Sequence, residues 1–433
     1  MWSPRIGFNW DVNGEHLTQV RGGIGVFAGR VPYVWMSNNY GNTGTMIAEI
    51  DRYGNTTFSA NPNNQPGLAA GSAAKTTSEI DLVDPNLKMP QVLRLDLGVD
   101  RQLPFNITGT VEAMYSKTLY DMLYKEVNLN PAVGTLPDGR TLYSGTNSGN
   151  GNFYGVYYLT NTTQGYQYNL SVQLKRNVAR GISGNAGYTF QRSLDQNGVL
   201  SSQAQSQLRY NPIVNDPNNP ALATSDFEIR NRIFTSLTYV HEFFKDAPTS
   251  FSVFYNGQSG TPFSFTVYGD LNNDGFDGND LFYIPKNDAD IELGTVKSGV
   301  YTKAPQSTYA ALDATINGND YLSSHRGQIS ERNGTTYPWR NELDLRIAQD
   351  IPSFYQGHII RISLNILNVL NLINSNWGWD VSGGYNNNSI VSYQGMDKAT
   401  GHPVYSFNPS YKPWNYNDLT SRWTMQLGLR YTF

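Results

Sequence analysis

The residues best suited to chemistry lie in one acidic loop in the second half of the chain. Asp270, Asn272 and Asp274 alternate along this loop, and a glycine follows them. Alternating carboxylate and amide oxygens ahead of a glycine wrap a chain around Ca²⁺ in loops of the EF-hand type, where a backbone carbonyl adds a further ligand. The pattern predicts a calcium site whose ligands are the side chains of Asp270, Asn272, Asp274 and Asp280 and the backbone carbonyl of Phe276.

The same residues have a second explanation as turn formers. Asp, Asn and Gly are common in long loops because of their own turn chemistry. The closing acid of an EF-hand loop falls on Leu281 here, so Asp280 would have to serve instead, and we expect no flanking helices. From the sequence, a calcium loop and an ion-free turn are therefore both open.

No catalytic constellation accompanies the acidic loop. The chain has no cysteine, which excludes disulfides, thiol catalysis and cysteine metal sites. The five histidines are scattered without ligand spacing, at His16, His241, His325, His358 and His402. No nucleophile elbow and no paired catalytic carboxylates stand out, so we expect no enzyme. A net charge of −4 without a basic cluster argues against nucleic acid as a partner.

The elements that must position this loop are strands. In the last segment, Trp423 to Phe433, every odd position is large and apolar and every even position is small or polar. Successive strand side chains point to opposite faces, and a tilted membrane strand needs about 9 to 11 residues. The segment therefore predicts a strand between lipid and water. No run approaches the roughly 18 consecutive apolar residues that a membrane helix requires.

The same alternation recurs in five pairs of segments joined by short turns. The pairs run through residues 6–26, 93–115, 166–190, 233–255 and 343–366. Their other faces carry polar or charged side chains such as Glu342, Asp344 and Arg361, which suit a water-filled lumen better than a dry core. The composition of 29 Tyr, 19 Phe and 8 Trp against 15% charged residues fits aromatic girdles at two membrane interfaces.

Long polar segments separate the pairs. They cover residues 29–89, 119–164, 192–228, 260–337 and 369–418. Loops of this length are uncommon in compact soluble domains such as a β-sandwich, whereas membrane barrels have short periplasmic turns and long extracellular loops. The sequence predicts an all-β fold, an antiparallel transmembrane β-barrel in contact with the lipid of a Gram-negative outer membrane.

The number of strands extends this prediction. Five pairs and the terminal strand give about eleven strands, and bacterial single-chain barrels have an even number. With the C-terminus in the periplasm, the first strand descends from outside, so we expect an ascending strand before residue 1. We therefore expect residues 1–433 to be the C-terminal half of a barrel of about 22 strands, the size of an outer-membrane transporter.

Several stretches resemble one family of outer-membrane receptors. They are Ser3–Phe8, Arg21–Phe27, Phe254–Phe263, Gly269–Gly275 with Asn279–Leu281, and Asn368–Asn371. Together they span nearly the whole chain and are similar to the C-terminal barrel of Oar-like TonB-dependent receptors, relatives of the receptors with carboxypeptidase-regulatory domains. The acidic loop after the Gly-Gln-Ser-Gly strand end is fairly specific to this resemblance.

The resemblance implies further parts and partners. Such receptors carry a signal peptide, a regulatory-like domain and a plug, which we expect to precede this segment. The TonB complex would act through the missing plug region. The barrel-assembly machinery would recognise the C-terminal strand that ends at Phe433.

Two functions follow from these observations. In the first, the chain lines the pore of a TonB-dependent receptor and its long loops bind an unidentified ligand. Exposed aromatic residues either stack on sugars or peptides or belong to the girdles, and the candidates are Tyr33, Trp35, Tyr40, Trp377 and Trp379. In the second, the chain is a calcium-stabilised protein of surface adhesion or protein export.

Overall fold

A computed structural model of the chain describes residues 2–43, 59–63, 78–146, 153–179, 181–198, 200–382 and 387–433. The strands in these residues are β1 Arg5–Asp11, β2 Thr18–Ala28, β3 Ser78–Val83, β4 Gln91–Leu103, β5 Ile107–Glu126, β6 Ala132–Thr135, β7 Thr141–Tyr143, β8 Phe153–Thr162, β9 Tyr166–Ala179, β10 Ile182–Asp195, β11 Ala223–Thr224, β12 Asn231–Phe244, β13 Ala247–Gln258, β14 Pro262–Tyr268, β15 Glu292–Lys297, β16 Val300–Lys303, β17 Thr335–Thr336, β18 Arg340–Pro352, β19 Ile359–Leu367, β20 Val381–Ser382, β21 Asn387–Met396, β22 Pro403–Phe407, β23 Asn415–Tyr416 and β24 Thr424–Thr432.

Helices occupy short stretches between these strands. They are α1 Tyr33–Gly41, α2 Ala204–Arg209, α3 Gln306–Asn317, α4 Asp320–Ser324, α5 Val369–Ile373 and α6 Asp418–Ser421, and single 3-10 turns cover Val12–Gly14, Pro104–Asn106 and Asp288–Asp290. Among the described residues, none of the helices has the length and apolar character needed to cross a membrane.

Eleven of the strands in the described residues form a continuous antiparallel wall. Their order is β1-β2-β4-β5-β9-β10-β12-β13-β18-β19-β24, so each wall strand pairs with the wall strands that precede and follow it in the sequence. The predicted antiparallel barrel fold is confirmed, and so is the prediction of about eleven barrel strands in this chain. Some wall strands extend beyond the predicted segments, because β5 continues to Glu126 and β10 to Asp195.

One face of the wall is apolar and the other is polar. In β24, Leu427 and Leu429 are 76% and 77% exposed to solvent. The register sets Leu427 opposite Leu364 and Leu429 opposite Ile362, so apolar side chains of neighbouring strands share one face. Such an exposed apolar surface is stable against lipid, and the alternation seen in the sequence is therefore confirmed in the fold.

Short turns join the wall strands into hairpins at one end. The turn between β4 and β5 holds Asn106 at φ 59°, and the turn between β12 and β13 holds Asp246 at φ 60°. Asn and Asp tolerate this left-handed conformation better than most residues, which fits their place in tight turns. These are the turns that the sequence predicts on the periplasmic side.

The long loops carry a second folded layer that sequence analysis did not predict. Its six-stranded sheet has the order β16-β15-β22-β21-β14-β17. The sheet packs with α3 and α4 around a hydrophobic core that contains Phe263, Phe265, Ile284 and Leu293. We call residues 262–336 and 387–407 the loop cap. Residues 262–336 of the cap connect the end of β13 to the start of β18, at the strand ends that lie opposite the short turns.

A second hydrophobic cluster ties the other long loops together. It joins Trp35 of α1, Tyr124 of β5, Leu159 of β8 and Leu208 of α2. Phe276 from the acidic loop also belongs to this cluster, whereas Leu271 belongs to the core of the loop cap. The acidic loop therefore connects the two cores.

Candidate functional site

The acidic loop starts and finishes beside one buried strand. After β14 the chain leaves the cap sheet and returns so that the Val267 amide donates to the Asp280 carbonyl at 2.8 Å. Two residues after Asp280, the Phe282 amide donates to the Phe265 carbonyl at 3.0 Å. Phe265 and Val267 are buried in the core of the cap, so this core fixes both ends of the loop.

Backbone amides inside the loop donate to its own side chains. Asp270 accepts from the amide of Asp274 through Oδ1 and from the amide of Gly275 through Oδ2, both at 2.9 Å. Asn272 Oδ1 accepts from the same Asp274 amide at 3.0 Å, and Asp274 Oδ1 accepts from the amide of Phe276 at 3.0 Å. These bonds curl the chain around the side chains of Asp270, Asn272 and Asp274.

Asp274 is fully buried and is surrounded by amide groups. Its Oδ2 accepts from Nδ2 of Asn272 at 3.2 Å and from Nδ2 of Asn279 at 2.8 Å. Asn279 is also fully buried, and its Oδ1 has no hydrogen-bond partner. Within the described part of the chain, no lysine or arginine pairs with Asp270 or Asp274. In the described residues, the carboxylates at the centre of the loop are therefore held by amide groups and not by cationic side chains.

Asp280 has a different environment from the other acids of the loop. Arg140 donates through Nη1 to Asp280 Oδ1 at 3.1 Å, and both side chains are completely buried. The amide of Leu271 donates to Asp280 Oδ2 at 2.8 Å. Arg140 also donates to the Leu281 carbonyl at 2.7 Å and to Asp138 at 2.8 Å. Asp280 thus anchors the loop to an arginine of another long loop.

Burial and mutual repulsion disfavour the charged forms of these acids. Burial raises the pKa of Asp274 to about 8, and the charges of Asp280 and Asp270 add to the rise. Burial also raises the pKa of Asp270 to about 6, although backbone N–H groups oppose the shift. Burial raises the pKa of Asp280 too, and the guanidinium of Arg140 opposes this rise. The loop has more negative charge than one arginine balances.

The structure brings the four predicted ligand side chains into one loop, where they play two roles. Asp270, Asn272 and Asp274 face one another, whereas Asp280 is engaged by Arg140. Phe276 packs its ring against Tyr157 with centroids 6.4 Å apart. In the residues that the structure describes, no group of three or more Asp, Glu or His side chains is arranged to hold a metal. Any ion here would rest on two carboxylates with amide and carbonyl oxygens.

Sequence analysis missed two residues of this site. Asn279 stands in the stretch Asn279–Leu281 that carries the family resemblance, so that stretch was the available signal. Arg140 comes from the long segment 119–164, and nothing in its local sequence marks a partner 140 positions away.

The aromatic residues proposed as ligand contacts do not form one group. Tyr33 and Tyr40 are about three-quarters exposed, but Trp35 is only 1% exposed, so its prediction as an exposed residue was wrong. Trp377 and Trp379 line a cavity of about 710 Å³. Its other aromatic lining residues are Tyr255, Trp339 and Tyr416. This cavity gathers more aromatic side chains than the sequence indicated.

Ion pairs lie along the polar face of the wall. Arg21 of β2 pairs with Asp100 of β4 at 3.0 Å and with Glu112 of β5 at 2.5 Å. Arg361 of β19 bonds Asp350 of β18 through two nitrogens, at 2.5 and 2.7 Å. An antiparallel wall with one apolar face, charged pairs on the other and folded loops at one end defines the class of outer-membrane β-barrels.

Comparison with known proteins gives the family. The chain belongs to the family described as Outer membrane beta barrel domain, whose profile matches residues 1–388. Its location is therefore the outer membrane of a Gram-negative bacterium. No curated protein matches the sequence.

Solved structures with a similar fold are outer-membrane transporters and receptors. The outer membrane transporter YddB from Escherichia coli matches 99% of this chain over 40% of its own length, with 11% identity and a TM-score of 0.47. A mutant of the ferric enterobactin receptor PfeA from Pseudomonas aeruginosa matches 86% over 35% of its length, with 9% identity and a TM-score of 0.39. The chain spans less than half the length of each.

Proposed function

We propose that the chain forms the pore-lining C-terminal part of the barrel in a TonB-dependent uptake receptor, of the Oar-like kind indicated by the sequence resemblance. The observation that carries the proposal is the division of the wall into two faces. Leu427 and Leu429 are exposed on the apolar face, whereas Arg21 and Arg361 form ion pairs on the polar face. The arginines of these pairs are 37% and 42% exposed, and such part-exposed charged pairs suit a water-filled pore better than a dry core.

The outer strands of the wall support a larger barrel. In the described residues, β1 pairs with β2 alone, and β24 pairs with β19 alone. Each unsatisfied backbone group inside a bilayer costs several kcal/mol by the general rule for lipid-exposed edges, so only closed barrels span membranes with strands. Further strands that bond to β1 and β24 complete the barrel under this proposal, with about 22 strands in total.

The loop cap provides the ligand-binding surface in this proposal. Its own hydrophobic core holds it in shape at the strand ends opposite the short turns. Folded loops place side chains more firmly than irregular ones, and binding residues are commonly carried on loops above a rigid scaffold. The chain acts as a receptor and not as an enzyme.

Two partners follow from the proposal. The TonB complex acts through a plug that lies upstream of these residues in the receptor. The barrel-assembly machinery recognises β24 and the terminal Phe433, whose side chain is 91% exposed. An exposed terminal aromatic on a strand that is paired along one edge only, within the described residues, suits recognition by another protein.

The test uses the whole protein that contains this chain, expressed in Gram-negative cells with and without TonB. Labelled solutes from the growth medium are followed into the periplasm and on the cell surface. Uptake that requires both the protein and TonB is the expected result. Surface binding with no TonB-dependent uptake contradicts the proposal and favours the alternative role in adhesion or protein export.

A further inference from the structure

We propose that the acidic loop binds one Ca²⁺ through Asp270, Asn272, Asp274 and Asn279 and the backbone carbonyl of Phe276. In this site Asp280 positions the loop and does not bind the ion. The inference goes beyond uptake, because it concerns the junction between the two cores of the loops. It does not depend on the proposed function.

The loop keeps free acceptor capacity after its internal hydrogen bonds are made. An ionised carboxylate offers about four lone-pair sites and an amide oxygen offers two. Asp270 accepts two amide protons, and Asn272 accepts one through Oδ1. Lone pairs therefore remain on both residues. Hard cations such as Ca²⁺ take six to eight oxygen ligands of these kinds, by the general rule for such sites.

Asn279 supplies the observation that points to a ligand. It is fully buried, and its Oδ1 makes no hydrogen bond, although its Nδ2 donates to Asp274 at 2.8 Å. The two ends of an amide have nearly the same shape, so a half-turn places Oδ1 where Nδ2 lies. After this half-turn Asn279 Oδ1 faces Asp274 Oδ2, and a cation that both oxygens bind removes the repulsion between them. The ion then satisfies the amide oxygen, which has no hydrogen-bond partner in the folded chain, while Nδ2 takes the buried position that Oδ1 leaves.

Asp280 is excluded as a ligand by its own bonds. Its Oδ1 accepts from Arg140 and its Oδ2 accepts from the amides of Leu271 and Asn272. Moving a cation to this carboxylate would place it beside a buried guanidinium. The arginine therefore holds the end of the loop, while the remaining acids receive the ion.

The choice of Ca²⁺ over Mg²⁺ follows from the form of the site. Mg²⁺ demands a near-ideal octahedron and keeps several waters, whereas Ca²⁺ accepts irregular sets of carboxylate, amide and carbonyl oxygens. Leu271 packs in the core of the loop cap and Phe276 in the second cluster. An ion between these positions holds the two cores together.

The experiment is calorimetric titration of CaCl₂ into protein that carries the full chain, extracted in detergent and freed of metal with a chelator. We expect one site in the wild type and loss of binding in Asp274→Ala. The matched control is Asp277→Ala, which removes a partly exposed acid of the same loop that pairs with Arg209 at 2.5 Å. This control is expected to bind within about twofold of the wild type, because exposed pairs contribute little. A wild type that binds no calcium, or an Asp274→Ala variant that binds as tightly, overturns the proposal.

A second variant separates loss of the ion from loss of the fold. Asn279→Asp replaces the amide by a carboxylate, which adds charge at the site. We expect about tenfold tighter calcium binding and faster proteolysis of the loops in the chelator, because site charge tunes affinity and an added buried carboxylate lacks a cation. Unchanged or weaker binding by a folded Asn279→Asp protein contradicts the assignment of Asn279 as a ligand.

Discussion

Arg140 and Asp280 form an ion pair that is completely shielded from solvent. The distance from Arg140 Nη1 to Asp280 Oδ1 is 3.1 Å, and 140 positions separate the two residues in the sequence. Although burial lowers the pKa of Arg140, the charges of Asp280 and Asp138 outweigh this effect and raise it. Arg140 lies in the turn between β6 and β7, so the pair links this turn to the acidic loop of the cap. We therefore expect this ion pair to keep the two long loops, which are distant in sequence, packed against each other.

Replacing Arg140 by methionine is expected to destabilise the loops strongly. Removal of one member of a buried ion pair leaves an uncompensated charge, which typically costs about 3 to 5 kcal/mol. Limited proteolysis of the folded barrel measures the opening of the loops. Arg422→Met is the control, because its partner Asp418 and the arginine itself are both largely exposed. Equal protease resistance of the two variants contradicts a stabilising role for the buried pair.

Trp35 is expected to be the main anchor of α1. It packs edge-on against Tyr124 with centroids 5.2 Å apart, and its Nε1 donates to the Ser201 carbonyl at 2.9 Å. Truncation of a buried aromatic residue costs about 3 to 5 kcal/mol, so Trp35→Ala should expose the segment around α1 to hydrogen exchange. Tyr40→Ala alters a residue of the same helix that is 76% exposed and should leave exchange unchanged. Similar exchange in both variants argues against this anchor.

The wall was predictable because its pattern is local. Along β24, successive side chains point alternately toward lipid and toward water. A one-residue shift would turn Leu427 and Leu429 to the wrong face. The same period extends through the paired strand β19, where Ile362 and Leu364 lie opposite these residues. Sequence alternation therefore predicts the strands and the face that each residue occupies, whereas the structure supplies the register between β19 and β24.

The loop cap escaped prediction in part because its strand β14 is buried on both faces. In β14, Phe263 and Phe265 alternate with Ser264 and Thr266, yet all four are at most 1% exposed. Small polar residues can be buried when they find partners, and Thr266 bonds Ser389 of β21 at 3.0 Å. The pairing of β14 with β21 is parallel and distant in sequence, so no local turn announces it. For the same reason the spacing of the acids indicated the loop but not Arg140.

Glu126 is expected to make the loops less stable as the pH rises. It lies at the end of β5 beyond the part that pairs with the wall strand β9, and burial raises its pKa to about 7 although the Val156 amide lowers it by donating a hydrogen bond. A carboxyl with a higher pKa in the fold than in the unfolded chain binds its proton more tightly when folded. The free energy of unfolding therefore falls as the pH rises from 4.5 through about 7.

The Glu126→Gln variant should remove most of this pH dependence. The free energy of unfolding of the variant minus that of the wild type should rise between pH 4 and pH 8. The rise should be about 3 kcal/mol at most, since one pKa unit corresponds to about 1.4 kcal/mol. Protease resistance at a series of pH values measures the effect. Glu15→Gln, at an exposed position, controls for the loss of one acid and should follow the wild type. A Glu126→Gln curve that parallels the wild type contradicts the prediction.

The two faces of β24 predict opposite responses to the same new charge. Leu427 lies near the middle of the strand on the apolar face, and its neighbour Gln426 lies on the polar face. An arginine on the lipid face of a barrel costs about 2 to 4 kcal/mol near the bilayer midplane, whereas one that faces water costs little. Leu427→Arg should therefore lower the folded fraction in the membrane, measured by the heat-dependent shift in electrophoretic mobility, while Gln426→Arg should not. If Gln426→Arg is the more damaging change, the apolar face of the wall does not face lipid.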